Sequence, residues 1–412
     1  MLLTLFVLLP LPHQAFNWAL LSISLAVLYD CFRRKQFLRL RFGHWFLPCL
    51  FFYFVVSIFA TGGKWSDIER YFLIIGIPLL FSNLPIRLGA LQQRRIYLAL
   101  IAGCLAAFIL CIFRALFLSF SIQEGELIFN PSLAETSRFD FLVLPLKGGN
   151  RFFSVDLSFI LHPTYFGMLI VLALCLIFEM LVGSTKKLRV FFLGSAVVLL
   201  LALFLLSSKA AMLSFGLVTV VWILQAPVSW RYKAGVLSLL LVVALVFVKF
   251  NPRMAVFLQD LSSGIAIKPE AEYGHNLRLL SWDAGVSLFR ENFILGVGES
   301  NKEGALLQMY DRKSYIVPLK LKLNTHNQFL DFAVGGGIVG LGIFLFGIIH
   351  LFYMAIKWKD HTFVAFLTVF VFNMLFENIL SRNAGILFFV VFVSFFINRN
   401  LPKTDFKTTN DL

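Results

Sequence analysis

Charge is what this 412-residue chain has least of. Asp, Glu, Lys and Arg supply 14% of it, against 59% hydrophobic residues. A soluble core needs a polar covering surface, and this composition does not supply one. Cysteine is sparse and unpaired in pattern. Cys31, Cys49, Cys104, Cys111 and Cys175 lie in or beside apolar runs, and no CxxC exists, so neither a disulfide framework nor a zinc site is expected. There is no P-loop, GxSxG, HExxH or acidic DxD-like cluster, which disfavours a metal-dependent, nucleotide-using enzyme. No internal repeat, low-complexity segment or soluble domain is evident. The first apolar stretch lacks a basic n-region and a small-residue cleavage site, so a cleavable signal peptide is not expected.

What fills the chain is apolar runs. Mean hydropathy is +0.85, and 49 residues are Phe. Runs of roughly 16–28 residues match the length needed to cross ~30 Å of hydrocarbon. Backbone groups in lipid must be satisfied within the segment, so the runs read as helices. About twelve are expected, near 1–12, 15–31, 45–60, 70–84, 96–120, 154–181, 190–206, 210–226, 234–250, 327–354, 362–377 and 384–398. The expected class is an all-α polytopic membrane protein.

The net charge of +14 does not point to nucleic acid, because the cations cluster in alternate short gaps. Arg33, Arg34, Lys35, Arg39 and Arg41 follow the second run, and Arg87, Arg94 and Arg95 follow the fourth. Lys186, Lys187 and Arg189, then Arg231 and Lys233, then Lys357 and Lys359 follow the sixth, eighth and tenth. The tail has Arg399, Lys403 and Lys407. The positive-inside rule makes that side cytoplasmic, with both termini inside. Two long loops, 121–153 and 251–325, then face outward. The second carries nine Lys/Arg and eight Asp/Glu. Within it, 276–290 reads as an amphipathic helix with Leu279, Leu280, Trp282, Val286 and Phe289 available for burial. Gly296-Val297-Gly298 reads as a turn, and 300–312 as a weaker helix.

The candidate chemistry sits on the outward side. His44, His350 and His361 fall inside; His13, His162, His275 and His326 fall outside. His326 stands where the long loop re-enters apolar chain, in HNQFLDFAVGGGIVG. An imidazole there can accept a proton near neutral pH, and Asn327 can orient a ligand. A structural histidine at a helix start explains the same residue. His162 lies in LHPTYFG, where Pro163 breaks the helix and Thr164 and Tyr165 add polar handles. A structural kink or a substrate-lining role both fit. Lys209, in SSKAAM, sits close to the membrane, where a cation must snorkel or meet an anion. Arg278 begins the loop helix. Arg290 ends it about 120° away around the axis, so the two need not bind one group. Arg forks suit diphosphate oxygens. Arg114 lies within the fifth run, and Glu377 and Arg382 flank the outer end of the eleventh; ionisable residues in such places are functional candidates. A structural Glu377–Arg382 pair and a functional role fit equally.

These residues resemble the O-antigen ligase and O-antigen polymerase superfamily of bacterial envelope enzymes. His326-Asn327, nine residues, Gly337, two residues and Gly340 look like that family's His-[Asn/Ser/Gln]-x9-Gly-x2-[Gly/Thr/Tyr] signature. Arg278 with Trp282 and NFILGVGES is similar to its Arg…Trp…Pro-Leu-Gly-Val-Gly stretch, with Phe293 or Ile294 where Pro is expected. SSKAAM resembles a Thr-Gly-Ser-Arg-Gly-Ala-like segment, with Lys209 in place of Arg. The resemblance covers roughly residues 155–395.

It implies a GT-C-like fold with a large helical periplasmic loop. It also implies transfer of a glycan from undecaprenyl diphosphate to lipid A-core or another envelope acceptor, with no metal, cofactor or nucleic acid. His326 would be catalytic, and Arg278 and Lys209 would hold the donor diphosphate. Asn327, His162, Tyr165, Glu377 and Arg382 would line or orient. The expected division is 1–153, 154–250, the loop 251–326 and 327–412, all one membrane-embedded unit in the inner membrane with its site facing the periplasm. A polymerase extending the glycan on its carrier uses the same donor chemistry. A lipid-linked sugar transporter or flippase would also explain the helices, but it does not need the long loop. A protein O-oligosaccharyltransferase is disfavoured for want of an added C-terminal domain.

Overall fold

In the computed structural model, residues 2–84, 88–123, 125–133, 149–181, 184–225, 229–251, 269 and 275–401 are described. Arg87, Lys403 and Lys407 of the charge pattern, and much of both long loops, lie outside the described residues.

The first half runs α1 (Leu2–Leu8), α2 (His13–Arg33), α3 (Phe46–Ala60), α4 (Trp65–Ile68), α5 (Phe72–Ser82) and α6 (Ala90–Ser119). A hairpin follows, β1 (Phe120–Gln123) with β2 (Glu126–Phe129), antiparallel with Phe120 opposite Phe129. That hairpin departs from the all-helical expectation. Its short FSIQ and ELIF segments pair their facing backbone groups with each other. Next come α7 (Ser154–Leu157), α8 (Pro163–Leu181), α9 (Lys186–Leu206), α10 (Lys209–Gln225) and α11 (Trp230–Phe250). The long loop contributes α12 (His275–Glu291), α13 (Lys302–Arg312) and α14 (Ile316–Lys320). The chain ends with α15 (Gln328–Lys357), α16 (His361–Met374) and α17 (Asn383–Asn400).

Six described helices are long and apolar enough to cross a membrane: Gln14–Arg33, Ala90–Ser119, Pro163–Leu181, Lys186–Leu206, Gln328–Lys357 and Asn383–Asn400. Shorter apolar helices accompany them, including Phe46–Ala60 and His361–Met374. The protein is a mostly helical membrane protein. Among the described spans α8 is the most enclosed, packed between α6, α9, α10 and α16. By contrast α9 exposes Val190, Leu193, Val197 and Leu201 along one stripe, the surface expected to meet lipid.

Two expectations are corrected. Residues 154–181 do not form one helix broken by Pro163; α8 starts at Pro163 after an irregular stretch. Proline's missing N–H costs nothing at the first helical position. The buried stripe of α12 is Leu280, Ala284 and Leu288, whereas Val286 is exposed and Leu279, Trp282 and Phe289 are only part-buried.

α15 is one chain segment with a break. Gly337 has φ 61° and ψ −156°, a conformation essentially reserved for glycine. The turn after α12 fills the break. The Val297 and Gly298 amides donate to the Val334 and Gly335 carbonyls at 2.9 and 2.8 Å. The Ile338 and Val339 amides donate to Phe293 and Ile294 at 2.8 and 3.3 Å. A Cβ on Gly296 would lie 2.5 Å from the Gly337 nitrogen, and one on Gly340 would lie 2.4 Å from the Tyr53 hydroxyl. The two glycine motifs therefore meet, and together they seat the loop helices on the membrane bundle.

Candidate functional site

His326 occupies a tight turn between the loop and α15. Its φ is +46°, and its amide donates to Asn324 Oδ1 at 3.0 Å. Asn327 caps α15, its Oδ1 accepting from the Phe329 and Leu330 amides at 3.0 and 3.1 Å. An asparagine in that place satisfies two of the helix's orphan donors.

Glu377, in the turn between α16 and α17, joins the expected residues into one cluster. Its Oε2 lies 3.3 Å from His326 Nδ1, and its Oε1 lies 2.9 Å from Arg278 Nη2. The Glu377–Arg382 alternative is therefore not what forms: among the described ion pairs Glu377 binds Arg278 and His326, and Arg382 is exposed. α12 packs on α15, and its Arg278 joins it to the Glu377 turn. Burial opposes charge on Glu377. The hydrogen bond from His326 and the charges of His326, Arg278 and His162 outweigh it and hold the carboxyl below its usual range.

His162 and Tyr165 border the cluster. The His162 ring is exposed, its Nδ1 accepting from the Thr164 amide at 3.4 Å. Tyr165 is buried, 6.1 Å from His162 between ring centres, within Coulombic reach of Glu377 and Arg382. It lines a narrow apolar crevice with Phe16, Leu161, Leu169 and Phe388. Lys209 opens α10 at the same end of the bundle. Asn373 Nδ2 of α16 donates to Ser214 Oγ of α10 at 3.2 Å, which sets the N-terminal part of α10 beside the end of α16, shortly before Glu377. Arg290 is exposed at the far end of α12, apart from the cluster. Arg114 stacks over Phe159 at 4.8 Å.

A second layer escaped the sequence reading. Asn378 Oδ1 accepts from the Asn327 amide at 2.7 Å and from Thr325 Oγ1 at 3.1 Å. It thus grips both neighbours of His326. Its Nδ2 donates to Asp331 Oδ1 at 2.9 Å. Asp331 in turn pairs with Lys302, which also binds Glu299 at 2.8 Å. Tyr71 donates to Glu299 at 2.5 Å. Burial opposes charge on Lys302, but Asp331 and Glu299 outweigh it and hold its ammonium well above the usual lysine range. Gln328 Oε1 accepts from the Leu380 amide at 2.6 Å, tying the two turns together again. The available signal was the acid–amide pair Glu377-Asn378 between two apolar runs.

Chemically, the cluster offers an imidazole whose Nδ1 is held by a carboxylate, leaving Nε2 for a proton. It also offers a half-exposed guanidinium on the other carboxylate oxygen. Among the described residues no group of three or more His, Cys, Asp or Glu side chains converges as a metal site.

No curated protein matches the chain. Residues 194–345 match the family model described as O-antigen ligase. That span holds Lys209, Arg278, Lys302, His326 and both signature glycines, Gly337 and Gly340; it ends before Glu377. Over residues 194–345 the chain is therefore similar to the O-antigen ligase family.

Proposed function

We propose that this protein moves a glycan from undecaprenyl diphosphate onto lipid A-core or another envelope acceptor at the periplasmic face of the inner membrane. The observation that carries the reading is Glu377 bridging His326 and Arg278. In this reading about twelve helices form a GT-C-like bundle with both termini cytoplasmic. The parts are 1–153, 154–250, the loop 251–326 and 327–412. The reaction uses no metal and no nucleotide.

With Glu377 ionised and accepting from Nδ1–H, His326 carries its lone pair on Nε2. That nitrogen removes the acceptor hydroxyl proton as the hydroxyl oxygen attacks the anomeric carbon. The bond from that carbon to the diphosphate oxygen breaks, and its electron pair leaves with undecaprenyl diphosphate. Negative charge grows on the leaving group, so a preorganised cation lowers the barrier. Arg278 supplies it from the loop side and Lys209 from the bundle side. Lys keeps the charge but lacks the guanidinium fork. Glu377 serves both partners: it fixes the imidazole tautomer and holds Arg278 until the diphosphate arrives. Asn327 orients His326 through the helix cap. His162, Tyr165 and Arg382 line the approach from the bundle.

The test is the state of the glycan in cells lacking the protein. Full-length glycan stranded on the carrier identifies a ligase. Single repeat units correctly attached to lipid A-core identify a polymerase. Normal glycan in both places overturns the proposal, and so does loss of carrier-linked glycan from the periplasmic side, the outcome expected of a flippase.

A further inference from the structure

α12 carries two apolar stripes, one buried inside the protein and one only partly covered. Leu280, Ala284 and Leu288 pack with α13 and with Val334 of α15. The other stripe runs through Leu279, Trp282, Val286 and Phe289 and continues beyond the helix to Phe293. Its spacings of three and four residues keep it on one face. Val286 on it is 37% exposed, and just beyond the helix exposure is higher: 52% at Phe293, 65% at Ile294 and 71% at Leu295. Three consecutive large apolar side chains at such exposure are costly in water.

The turn lies against a membrane-crossing helix. Phe293 and Ile294 bond through their carbonyls to Ile338 and Val339 of α15, which are themselves 42% and 46% exposed. Further along the same helix, Phe346 and Ile349 are 62% and 63% exposed. The exposed turn therefore continues the outer face of a candidate membrane span. Irregular backbone is tolerated near hydrocarbon only where its polar groups are satisfied. In this turn the Asn292 amide donates to the Leu288 carbonyl at 3.0 Å, and the Asn292, Phe293 and Ile294 carbonyls accept from the Gly296, Ile338 and Val339 amides at 3.0, 2.8 and 3.3 Å. Arg290 is exposed beside the stripe, four residues from Val286, placed to reach headgroups while its stem lies on the apolar face.

From this geometry we infer that α12 and the 292–295 turn form a lipid-docking surface. The stripe from Leu279 to Phe293, with Ile294 and Leu295, is seated in the bilayer leaflet on the His326 side, at the boundary of headgroups and acyl chains. The loop helices thereby ride on the membrane instead of standing clear of it. On the proposed glycan-transfer reading, this holds Arg278, which precedes Leu279 on the same helix, at the height of a lipid's diphosphate. The docking itself does not depend on that reading.

The test uses the full-length protein in phosphatidylethanolamine–phosphatidylglycerol nanodiscs. Cys49, the exposed cysteine, is replaced by Ser; Cys31, Cys104, Cys111 and Cys175 are buried. Nitroxide is attached at Ile294→Cys, at Leu295→Cys and, as the aqueous reference, at Glu303→Cys on exposed α13. Relaxation by oxygen is compared with relaxation by a water-soluble nickel chelate. Docking predicts oxygen access with loss of nickel access at 294 and 295, and the reverse at 303. Nickel access at 294 and 295 equal to that at 303 overturns the proposal. So does exclusion of both reagents, which would mean that protein covers the turn.

Discussion

Replacing Gly337 by Ala tests how the loop helices are held. Its φ of 61° with ψ of −156° strains any residue with a Cβ by about 1–3 kcal/mol. That Cβ would sit 2.3 Å from the Ile294 carbonyl oxygen and 2.6 Å from the Leu295 nitrogen. Both are backbone atoms, so the turn must withdraw. Withdrawal breaks the hydrogen bonds from Ile338 and Val339, each contributing about 0.5–1.5 kcal/mol. The whole loss is about 2–6 kcal/mol, a large share of the ~5–15 kcal/mol that holds a folded domain. Gly342 is the internal control. It lies in the same helix with nothing within 4 Å of an added Cβ, and Ala there favours the helix by up to about 1 kcal/mol. Thermal unfolding in detergent and amide exchange at Val297 and Ile338 provide the assay. Gly337→Ala should lower the midpoint and release both amides, while Gly342→Ala leaves them protected. Equal midpoints and equal protection in the two variants would refute the docking argument.

Four other outcomes follow from the same geometry. Glu377→Gln should lower turnover at least about tenfold, because a neutral amide no longer selects the His326 tautomer; steady-state transfer with unchanged turnover would remove Glu377 from the mechanism. Arg278→Ala should cost about 100-fold in donor use and Arg278→Lys less, measured as turnover over KM for the lipid-linked donor; equal full activity in both excludes Arg278 from the diphosphate. Asn378→Ala should let the His326 turn shift and reduce turnover by up to about 100-fold with little change in donor KM, whereas a purely structural role would lower only the unfolding midpoint. Glu377 is held below the usual carboxylate range, so its share of stability is present above that range and is lost as pH falls through the lowered value. Acid unfolding of Glu377→Gln should therefore show a flatter acid limb than the wild type; identical acid limbs would contradict the pairing.

Much of this was legible in sequence. The runs of apolar residues place most of the helices, and amphipathic spacing places α12 within a residue of its observed 275–291 span. His326, Asn327, Arg278 and the Gly337–Gly340 spacing stand out because each breaks an otherwise apolar or loop context. Other features could not be read locally. Glu377 reaches His326 across 51 residues and Arg278 across 99, and no periodicity links positions that far apart. Both stripes of α12 are apolar, so spacing alone cannot say which one faces protein; packing on Val334 decided it. Pro163 suits a kink and a first helical turn equally in sequence. Lys302, Glu299 and Asp331 look like ordinary loop and helix charges until burial brings them together.

The most direct test of the central claim is transfer by the reconstituted protein, with His326→Ala compared to wild type. Purified lipid-linked glycan and acceptor are supplied in liposomes, and both proteins are first shown to be folded by equal unfolding midpoints. A general base contributes about 10²–10⁴-fold, so the account predicts loss of transfer on that scale while the donor still binds. Transfer at the wild-type rate by folded His326→Ala would contradict it.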